Sequence, residues 1–371
     1  MKLSIDRAAL LRSLNHVQSV VERRNTIPIL SNVLMKAEDG VLSLSSTDMD
    51  LEINESVAAN IIDAGATTAP AHTLHDIIRK LPDGSEVEIA LNAEGTQMVV
   101  SSGRSQFKLS CLPVADFPEI SAGDLPNGFS IPAADLRALI DRTKFAMSTE
   151  ETRYYLNGIY VHEADNDGVK VLRAVSTDGH RLARFEMPLP EGAAGMPGVI
   201  VPRKAVGELR KLIEDAADVI QITLSENKIR FSFDHVVLTS KLIDGTFPDY
   251  QRVIPQGNDK IVEVDPKVFT RAIDRVSTIS DGKSRALKIA LAGKQMTLSA
   301  SSPEAGSATE EMEVNGDSTM EIGFNAKYLL DITSQIEGEG CRLTLADSAS
   351  PTIIQDNSDP SALYVLMPLR V

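Results

Sequence analysis

The sequence predicts an α+β fold of three structurally similar domains, each with two helices packed on an antiparallel sheet. Two apolar patterns with helical spacing each occur three times, about a third of the chain apart. Short runs in which apolar and polar residues alternate surround every copy, as expected of strands with one buried face. A chain of 371 residues is long enough for three domains of ordinary size.

The helices are predicted from the spacing of large apolar residues, which follows the 3.6-residue period of a helix with one apolar face. The first pattern advances by five and then four residues: Ile5, Leu10 and Leu14; Ile131, Leu136 and Ile140; Val264, Phe269 and Ile273. The second advances by four, three and four: Pro70, Leu74, Ile77 and Leu81; Pro202, Val206, Leu209 and Ile213; Asn325, Leu329, Ile332 and Ile336. The predicted helices are residues 7–17, 72–81, 134–145, 203–213, 266–276 and 325–336.

Strands and domain boundaries follow from the segments between the helices. Alternating runs predict strands at residues 41–44, 87–91, 106–109, 229–233 and 342–345. Turn-rich stretches at residues 121–128 and 255–260 separate the repeats. We therefore predict domains at residues 1–124, 125–257 and 258–371.

Composition predicts a folded protein without a membrane span. Hydrophobic residues make up 43% and charged residues 24%, a balance unlike that of disordered chains. The N-terminus lacks a signal-peptide pattern, and the chain has no apolar run long enough to cross a bilayer. We expect a soluble cytoplasmic protein. Cys111 and Cys341 lie in apolar strand contexts without metal-site spacing and are expected to be buried thiols.

The charge distribution suggests a binding partner. The net charge is −15, which alone argues against nucleic acid. The six predicted helices nevertheless carry fifteen Lys and Arg residues against six Asp and Glu residues. One interpretation is the mixed charge of ordinary surface helices. The other is a basic layer facing a polyanion, with an acidic exterior that repels it elsewhere; nucleic acid is the obvious polyanion.

Catalytic signatures are scarce. Phosphate-binding, esterase, zinc-protease and dinucleotide motifs do not occur in the sequence. The strongest candidate is the TDGHR segment at residues 177–181, where Asp178 and His180 would share a face of a strand and could hold a metal or move protons. A similar TDMDL segment occurs at residues 47–51. A recurring Thr-Asp pair favours a turn in which Asp bonds its own backbone, and we favour that interpretation.

Five segments resemble the bacterial sliding clamp family, the beta subunit of DNA polymerase III. They are RYYLNG at residues 153–158, STDGHRL at 176–182, VPRK at 201–204, SKLIDGTFPDY at 240–250 and MPLRV at 367–371. The resemblance spans the chain and implies one half of a head-to-tail homodimeric ring whose helices line a hole around double-stranded DNA. It implies no catalysis, no cofactor and no metal. The expected partners are the polymerase catalytic subunit, the clamp loader and other proteins with a clamp-binding motif.

The resemblance also implies site residues. The expected DNA-side residues are Arg24, Arg79, Lys80, Tyr154, Tyr155, Arg203 and Lys204, to which charge alone adds Arg271, Arg275, Lys283 and Arg285. The expected partner-peptide cleft comprises Leu156, Thr177, Gly179, His180, Arg181, Leu182, Pro248, Arg252, Val253, Val365, Met367, Pro368, Leu369 and Arg370. Phe107, Leu109 and Ile279 are expected to bury in the dimer interface, where the strand around Phe107 forms an edge.

Some features leave alternatives open. Glu150 and Glu151 make a loop expected near DNA acidic, and Ala349 and Pro351 leave the detailed shape of the cleft undefined. Two other functions are compatible with parts of the pattern. One is a DNA-binding protein that does not encircle its ligand or read its sequence, and the other is a hydrolase centred on Asp178 and His180.

Overall fold

The structure is a computed structural model that describes residues 1–120, 123–214, 218–280 and 285–370. The described residues form two compact units. The first unit contains Met1–Arg137, Pro190–Ala193 and Lys204–Leu242. The second contains Ala138–Leu189, Ala194–Arg203 and Ile243–Val371.

Six α-helices are found in the described residues, two in each third of the chain. They are α1 Arg7–Val17, α2 Ala71–Lys80, α3 Ala133–Thr143, α4 Arg203–Leu212, α5 Pro266–Ser277 and α6 Ala326–Thr333. Short polar side chains set several helix starts. Asp6 accepts a hydrogen bond from the backbone of Ala9, and Asp265 and Asn325 each accept two at the starts of α5 and α6. Such N-caps satisfy donors that have no partner within the helix.

The strands alternate with the helices in chain order. In the first third they are β1 Lys2–Asp6, β2 Asn32–Glu38, β3 Val41–Thr47, β4 Leu51–Ala58, β5 Asn60–Asp63, β6 Gly65–Pro70, β7 Glu86–Leu91, β8 Gln97–Ser102 and β9 Ser105–Ser110. In the middle third they are β10 Asn127–Pro132, β11 Gly158–Asn166, β12 Val169–Thr177, β13 Arg181–Pro188, β14 Val199–Pro202, β15 Val219–Leu224, β16 Lys228–Phe233 and β17 Val236–Lys241. In the last third they are β18 Lys260–Val264, β19 Ala286–Ser302, β20 Gly306–Asn325, β21 Cys341–Leu345, β22 Thr352–Asp356 and β23 Ala362–Leu366.

Three antiparallel sheets result. Two belong to the first unit, in the orders β5-β1-β7-β8-β9 and β10-β15-β16-β17-β4-β3-β2-β6. The third belongs to the second unit and has the order β14-β11-β12-β13-β23-β22-β21-β18-β20-β19. Strand β17 pairs with β4 of the preceding repeat, and β23 pairs with β13 in the same way. The repeats are therefore joined through continuous sheets, and the predicted α+β fold of three similar domains is confirmed.

The apolar patterns form the cores. All nine residues of the first pattern are buried, from Ile5 to Ile273. In the second pattern Ile77 is half-buried, and its neighbour Ile78 takes the fully buried position. Cys341 is fully buried, and burial raises the pKa of its thiol to about 12. The expectation for Cys111 was wrong, because this residue follows the end of the edge strand β9 and is half-exposed.

Candidate functional site

The TDGHR segment at residues 177–181, here called the second-domain turn, links β12 to β13. Thr177 Oγ1 donates a hydrogen bond to the Arg181 carbonyl at 2.6 Å and accepts one from the Gly179 backbone N–H at 3.1 Å. Asp178 Oδ1 accepts from the backbone N–H groups of His180 and Arg181 at 2.9 and 3.1 Å. The turn interpretation is confirmed. The premise that Asp178 and His180 share a strand face is wrong, because the Asp carboxylate closes the turn.

Arg181 holds this turn against its surroundings. Its buried guanidinium donates to Asp178 Oδ2 at 3.1 Å, to Asp331 Oδ2 at 2.6 Å and to the Phe145 carbonyl at 2.7 Å. The same group lies 4.3 Å from the centre of the Tyr328 ring, within the range of a cation–π interaction. A buried charge with this many partners fixes the geometry of the turn. Arg181 therefore serves as a support rather than as an exposed ligand group.

Exposed His180 and half-buried Tyr328 form an aromatic pair beside the turn. The ring centres are 6.1 Å apart with a tilt of 24°. Tyr328 lies in α6 and touches both His180 and Arg181, yet sequence reasoning did not select it. Tyr328 contacts residues that are more than a hundred positions away in the sequence. No local sequence pattern predicts such a contact.

Several predicted cleft residues share one buried apolar cluster. Leu156, Leu182 and Val365 pack with Val175, Ile200, Phe247, Tyr250, Ile254 and Leu363. Leu182 and Val365 are paired directly across β13 and β23. Pro248, Arg252 and Val253 lie on the segment at residues 244–254 and are exposed. The structure thus brings these predicted residues to one place, with the leucines and Val365 beneath and the segment 244–254 at the surface.

The C-terminal tail continues from β23 past the turn. The Met367 N–H donates to the His180 carbonyl at 2.9 Å, and the Leu369 N–H donates to the Gly323 carbonyl at 2.7 Å. Met367 and Arg370 are exposed. A cavity of about 610 Å³ opens beside the tail and is lined by Glu321, Ile322, Gly323, Ser348, Ala349, Pro368, Leu369 and Arg370. Ala349 therefore lines a depression that it shares with the predicted cleft residues Pro368, Leu369 and Arg370.

One of the two carboxylates in the acidic loop before Tyr154 is paired within the loop. Arg153 donates to both carboxylate oxygens of Glu150 at 2.8 and 2.7 Å, which lowers the pKa of Glu150. The Arg153 guanidinium also covers Gly179, where an added Cβ would lie 2.4 Å from Nη1. Tyr154 is 53% exposed, whereas Tyr155 is half-buried against the apolar cluster.

The predicted DNA-side cations differ in their partners. The side chains of Arg24, Lys80, Arg271 and Arg285 are exposed and make no ion pair or hydrogen bond with the described residues. Arg79, Lys204 and Arg275 pair with Asp76, with Glu22 and Asp48, and with Glu310, respectively. Arg203 donates to the carbonyls of Met147 and Ser148. Lys283 lies outside the described residues.

The predicted interface strand β9 is an edge strand of its sheet. Phe107 is exposed in it, whereas Leu109 is already buried and Ile279, beyond α5, is half-buried. Strand β19 forms an edge of the third sheet. An edge strand presents unpaired backbone groups that favour pairing with another chain.

Features that would favour other functions are not observed. Among residues 1–120, 123–214, 218–280 and 285–370, no group of three or more His, Cys, Asp and Glu side chains could hold a metal ion. In the same part of the chain, no helix is both long and apolar enough to span a membrane. Both oxygens of Asp178 are engaged by the turn and by Arg181.

Three repeated α+β domains joined through shared sheets define a clamp-type scaffold. Family models for the DNA polymerase III beta subunit match residues 1–121 (N-terminal domain), 130–249 (central domain) and 251–370 (C-terminal domain). The chain belongs to the DNA polymerase III beta subunit family. The family expectation is therefore confirmed, while the individual site residues and the boundaries at residues 124 and 257 stay predictions.

Relatives and solved structures agree over their full lengths. The chain is 54% identical to the beta sliding clamp of Caulobacter vibrioides and 39% identical to that of Escherichia coli, each alignment covering 100% of both chains. It is similar to the sliding clamp of Bartonella birtlesii bound to griselimycin, with 51% identity, full coverage of both chains and a TM-score of 0.97. The Caulobacter crescentus clamp has 54% identity and a TM-score of 0.98, with 100% of this chain and 99% of that chain covered.

Proposed function

We propose that this protein is a DNA sliding clamp, a processivity factor that works in the cytoplasm and has no catalytic activity of its own. Two copies join head to tail in a ring around duplex DNA, and a hydrophobic cleft in each copy tethers the replicative polymerase and other factors. The observation that carries this proposal is the threefold repeat of a helix pair on sheet, which belongs to a family of clamps along the whole chain.

Sliding requires weak contacts with phosphates and none with base edges. Lys and Arg side chains on the helices and loops attract the polyanion without reading its sequence, and salt weakens that attraction. Arg24, Lys80, Arg271 and Arg285 are the strongest candidates, since no described carboxylate neutralises them. Arg79, Lys204 and Arg275 would have to exchange a carboxylate for a phosphate, so each should contribute less.

The cleft would bind short apolar peptides near the second-domain turn. Val253 and Met367 expose apolar surface there, His180 stacks on Tyr328, and the tail is held by the His180 carbonyl. Methionine suits a pocket that accepts several peptides because its thioether chain is flexible. Griselimycin, which is bound to the B. birtlesii clamp, provides a ready probe for this cleft.

The ring would close through backbone pairing between β9 of one copy and β19 of the other. Phe107, exposed on β9, and the half-buried Ile279 would then become buried. Residues at such an interface lose exposure only in the dimer, so charge substitution at Phe107 should produce monomers without unfolding either copy.

The ring itself is tested by loading the protein onto circular DNA with the clamp loader. We expect the unmodified protein to be retained on the circular DNA and to be lost after the circle is cut. The Phe107→Asp variant should be retained on neither the circular nor the cut DNA, and it should sediment as a monomer. Stable equilibrium binding to a short open duplex at physiological salt would instead indicate a saddle that does not encircle DNA. The cleft is tested separately, because a protein shortened by its last five residues should still form rings but bind griselimycin weakly.

A further inference from the structure

A buried polar network lies beneath the segment at residues 244–254, and the proposed function does not use it. Strand register places His162 of β11 opposite Arg173 of β12, and Arg173 opposite Glu186 of β13. Arg173 and Glu186 are both buried and joined by a hydrogen bond of 2.8 Å. Tyr250, on the segment 244–254, reaches this row of side chains from above.

The proton positions in this network can be assigned from its acceptors. His162 Nδ1 lies 2.7 Å from the Glu163 carbonyl, which can only accept, so Nδ1 carries a proton. His162 Nε2 lies 3.0 Å from the Tyr250 hydroxyl. Arg173 Nη1 donates to that hydroxyl at 3.1 Å. With a neutral imidazole, Tyr250 donates to Nε2 and accepts from Arg173, and every polar group has a partner.

Ring packing fixes the imidazole from the side. Tyr160, two residues before His162 on β11, stacks on it with ring centres 4.5 Å apart. The other face of Tyr160 stacks on Phe247 at 4.9 Å. Gly198 leaves room for this arrangement, because a Cβ there would lie 2.5 Å from the Tyr160 hydroxyl. Phe247, Tyr160 and His162 thus form one continuous stack.

This stack and the Tyr250 hydrogen bond anchor the segment that carries part of the predicted cleft. Phe247, Tyr250 and Ile254 are the buried residues of the segment, whereas Pro248, Arg252 and Val253 are exposed. Phe247 and Tyr250 are the two that join the stack and the network, and the orientation of the exposed residues depends on these two anchors. His162 contacts one anchor directly and the other through Tyr160.

A second proton on His162 would have no counter-charge. Opposite His162 lies Arg173, a cation whose partner Glu186 also accepts from Asn166 and lies near Arg184. The Glu163 carboxylate is engaged by Lys170 and by the Gly195 N–H. On the segment above, Asp249 and Arg252 pair with each other. Burial, opposed by the Glu163 carbonyl and reinforced by Arg173, lowers the pKa of His162 from its ordinary value of 6.5.

We propose that His162 is a positioning residue of the peptide cleft, which in its neutral form anchors the segment 244–254 through Tyr250 and which, when protonated, loosens that wall and weakens ligand binding. This inference rests on the proposed cleft. Because the pKa of His162 is lowered, the neutral ring already predominates at the ordinary histidine value of 6.5. Binding is therefore strongest at and above that pH and declines as the pH falls below it.

The test is the pH profile of griselimycin binding measured by calorimetry on the full-length protein. For the unmodified protein we expect a constant affinity between about pH 8 and about pH 6.5 and a decline below that range, by at most about tenfold per pH unit for one linked proton. His162→Gln presents an amide oxygen that can accept from Tyr250 and does not titrate. It should bind nearly as well at the upper pH and lose most of the decline.

Two further variants complete the design. Tyr250→Phe keeps the packing but removes the hydroxyl, and we expect about three- to tenfold weaker binding at about pH 8. His235→Gln, a matched substitution in the other compact unit, should keep the original profile. The proposal is overturned if His162→Gln declines with pH as the unmodified protein does, or if Tyr250→Phe binds with full affinity. Failure of the unmodified protein to bind griselimycin at any pH would instead reject the cleft itself.

Discussion

Two turns with the same hydrogen bonds lie in equivalent places of the first and second repeats, and their side-chain surroundings differ. The first-domain turn, residues 47–51, has the same bonds as the second-domain turn: Thr47 Oγ1 donates to the Leu51 carbonyl at 2.9 Å and accepts from the Met49 N–H, and Asp48 accepts from the N–H groups of Asp50 and Leu51. The Thr-Asp pair therefore determines the backbone conformation of the turn. The three residues that follow it determine which side chains the turn contacts.

The surroundings of the two turns differ in polarity. In the first-domain turn, Asp48 pairs with Lys204 and Asp50 with Lys241, so its surface is covered by ion pairs. In the second-domain turn, the corresponding positions hold Asp178, bonded to a buried Arg181, and His180, stacked on Tyr328. Met49 is exposed in the first-domain turn, but only the second-domain turn carries a ring that stacks on a neighbouring aromatic side chain. Of the two turns, the second-domain turn is therefore the one that adjoins the proposed cleft.

The largest difference in stability between the two turns is expected from substitution of the last turn residue, Arg181 or Leu51. Arg181→Met removes a buried guanidinium and leaves Asp178 and Asp331 without their partner, and we expect a loss of about 3 kcal/mol in the free energy of unfolding. The matched change Leu51→Met conserves volume at a buried apolar position and should cost less than about 1.5 kcal/mol. Chemical denaturation measures both. Equal losses would contradict the supporting role assigned to Arg181.

The middle turn residue should give an intermediate effect. Gly179 has a φ of +88° and is covered by Arg153, so Gly179→Ala should destabilise the protein by about 1–2 kcal/mol. It should also displace Arg153 from Glu150. Met49 has a φ of +78° in the first-domain turn, and Met49→Gly relieves that strain. If the melting temperature fell for Met49→Gly and did not fall for Gly179→Ala, the expected order of the two effects would be wrong.

The smallest effect is expected at the ion pair over the first-domain turn. Lys241 and Asp50 lie 3.0 Å apart but are largely exposed. Lys241→Ala should therefore change the free energy of unfolding by less than about 0.5 kcal/mol, and added salt should erase the difference. A larger loss that persists at high salt would show that ion pairs, rather than the shared Thr-Asp bonds, maintain this turn.

The features that the sequence predicted correctly, the helices and the two turns, depend on the spacing of residues that are close together in the chain. All six predicted helices match the observed ones to within about three residues, because an apolar face must recur with the helical period. The turn at Asp48 and Asp178 was also predictable, since each Asp bonds its own backbone. Contacts across large separations were not predictable. The bond between Arg181 and Asp331 spans 150 positions and that between His162 and Tyr250 spans 88.

The site shows the same division. Motif resemblance selected residues such as Leu156, Leu182 and Val365, which the structure gathers in one cluster. Resemblance selected Lys80 and charge alone selected Arg275, and neither criterion could show that Glu310 pairs with Arg275 while no described carboxylate pairs with Lys80. Pairing of a surface cation depends on which carboxylate folds next to it, and this information lies in the tertiary structure.

The pairing of β23 with β13, and of β17 with β4, constrains how the polypeptide tolerates cleavage. A protease cut that released the last repeat would strip β13 of its neighbour and uncover a row of backbone donors and acceptors between buried apolar strands. Such a remnant would tend to stick to other copies of itself. We therefore expect the protein to be present in the cell either as the intact chain or as an aggregated fragment. A soluble fragment that lacks the last repeat should not accumulate.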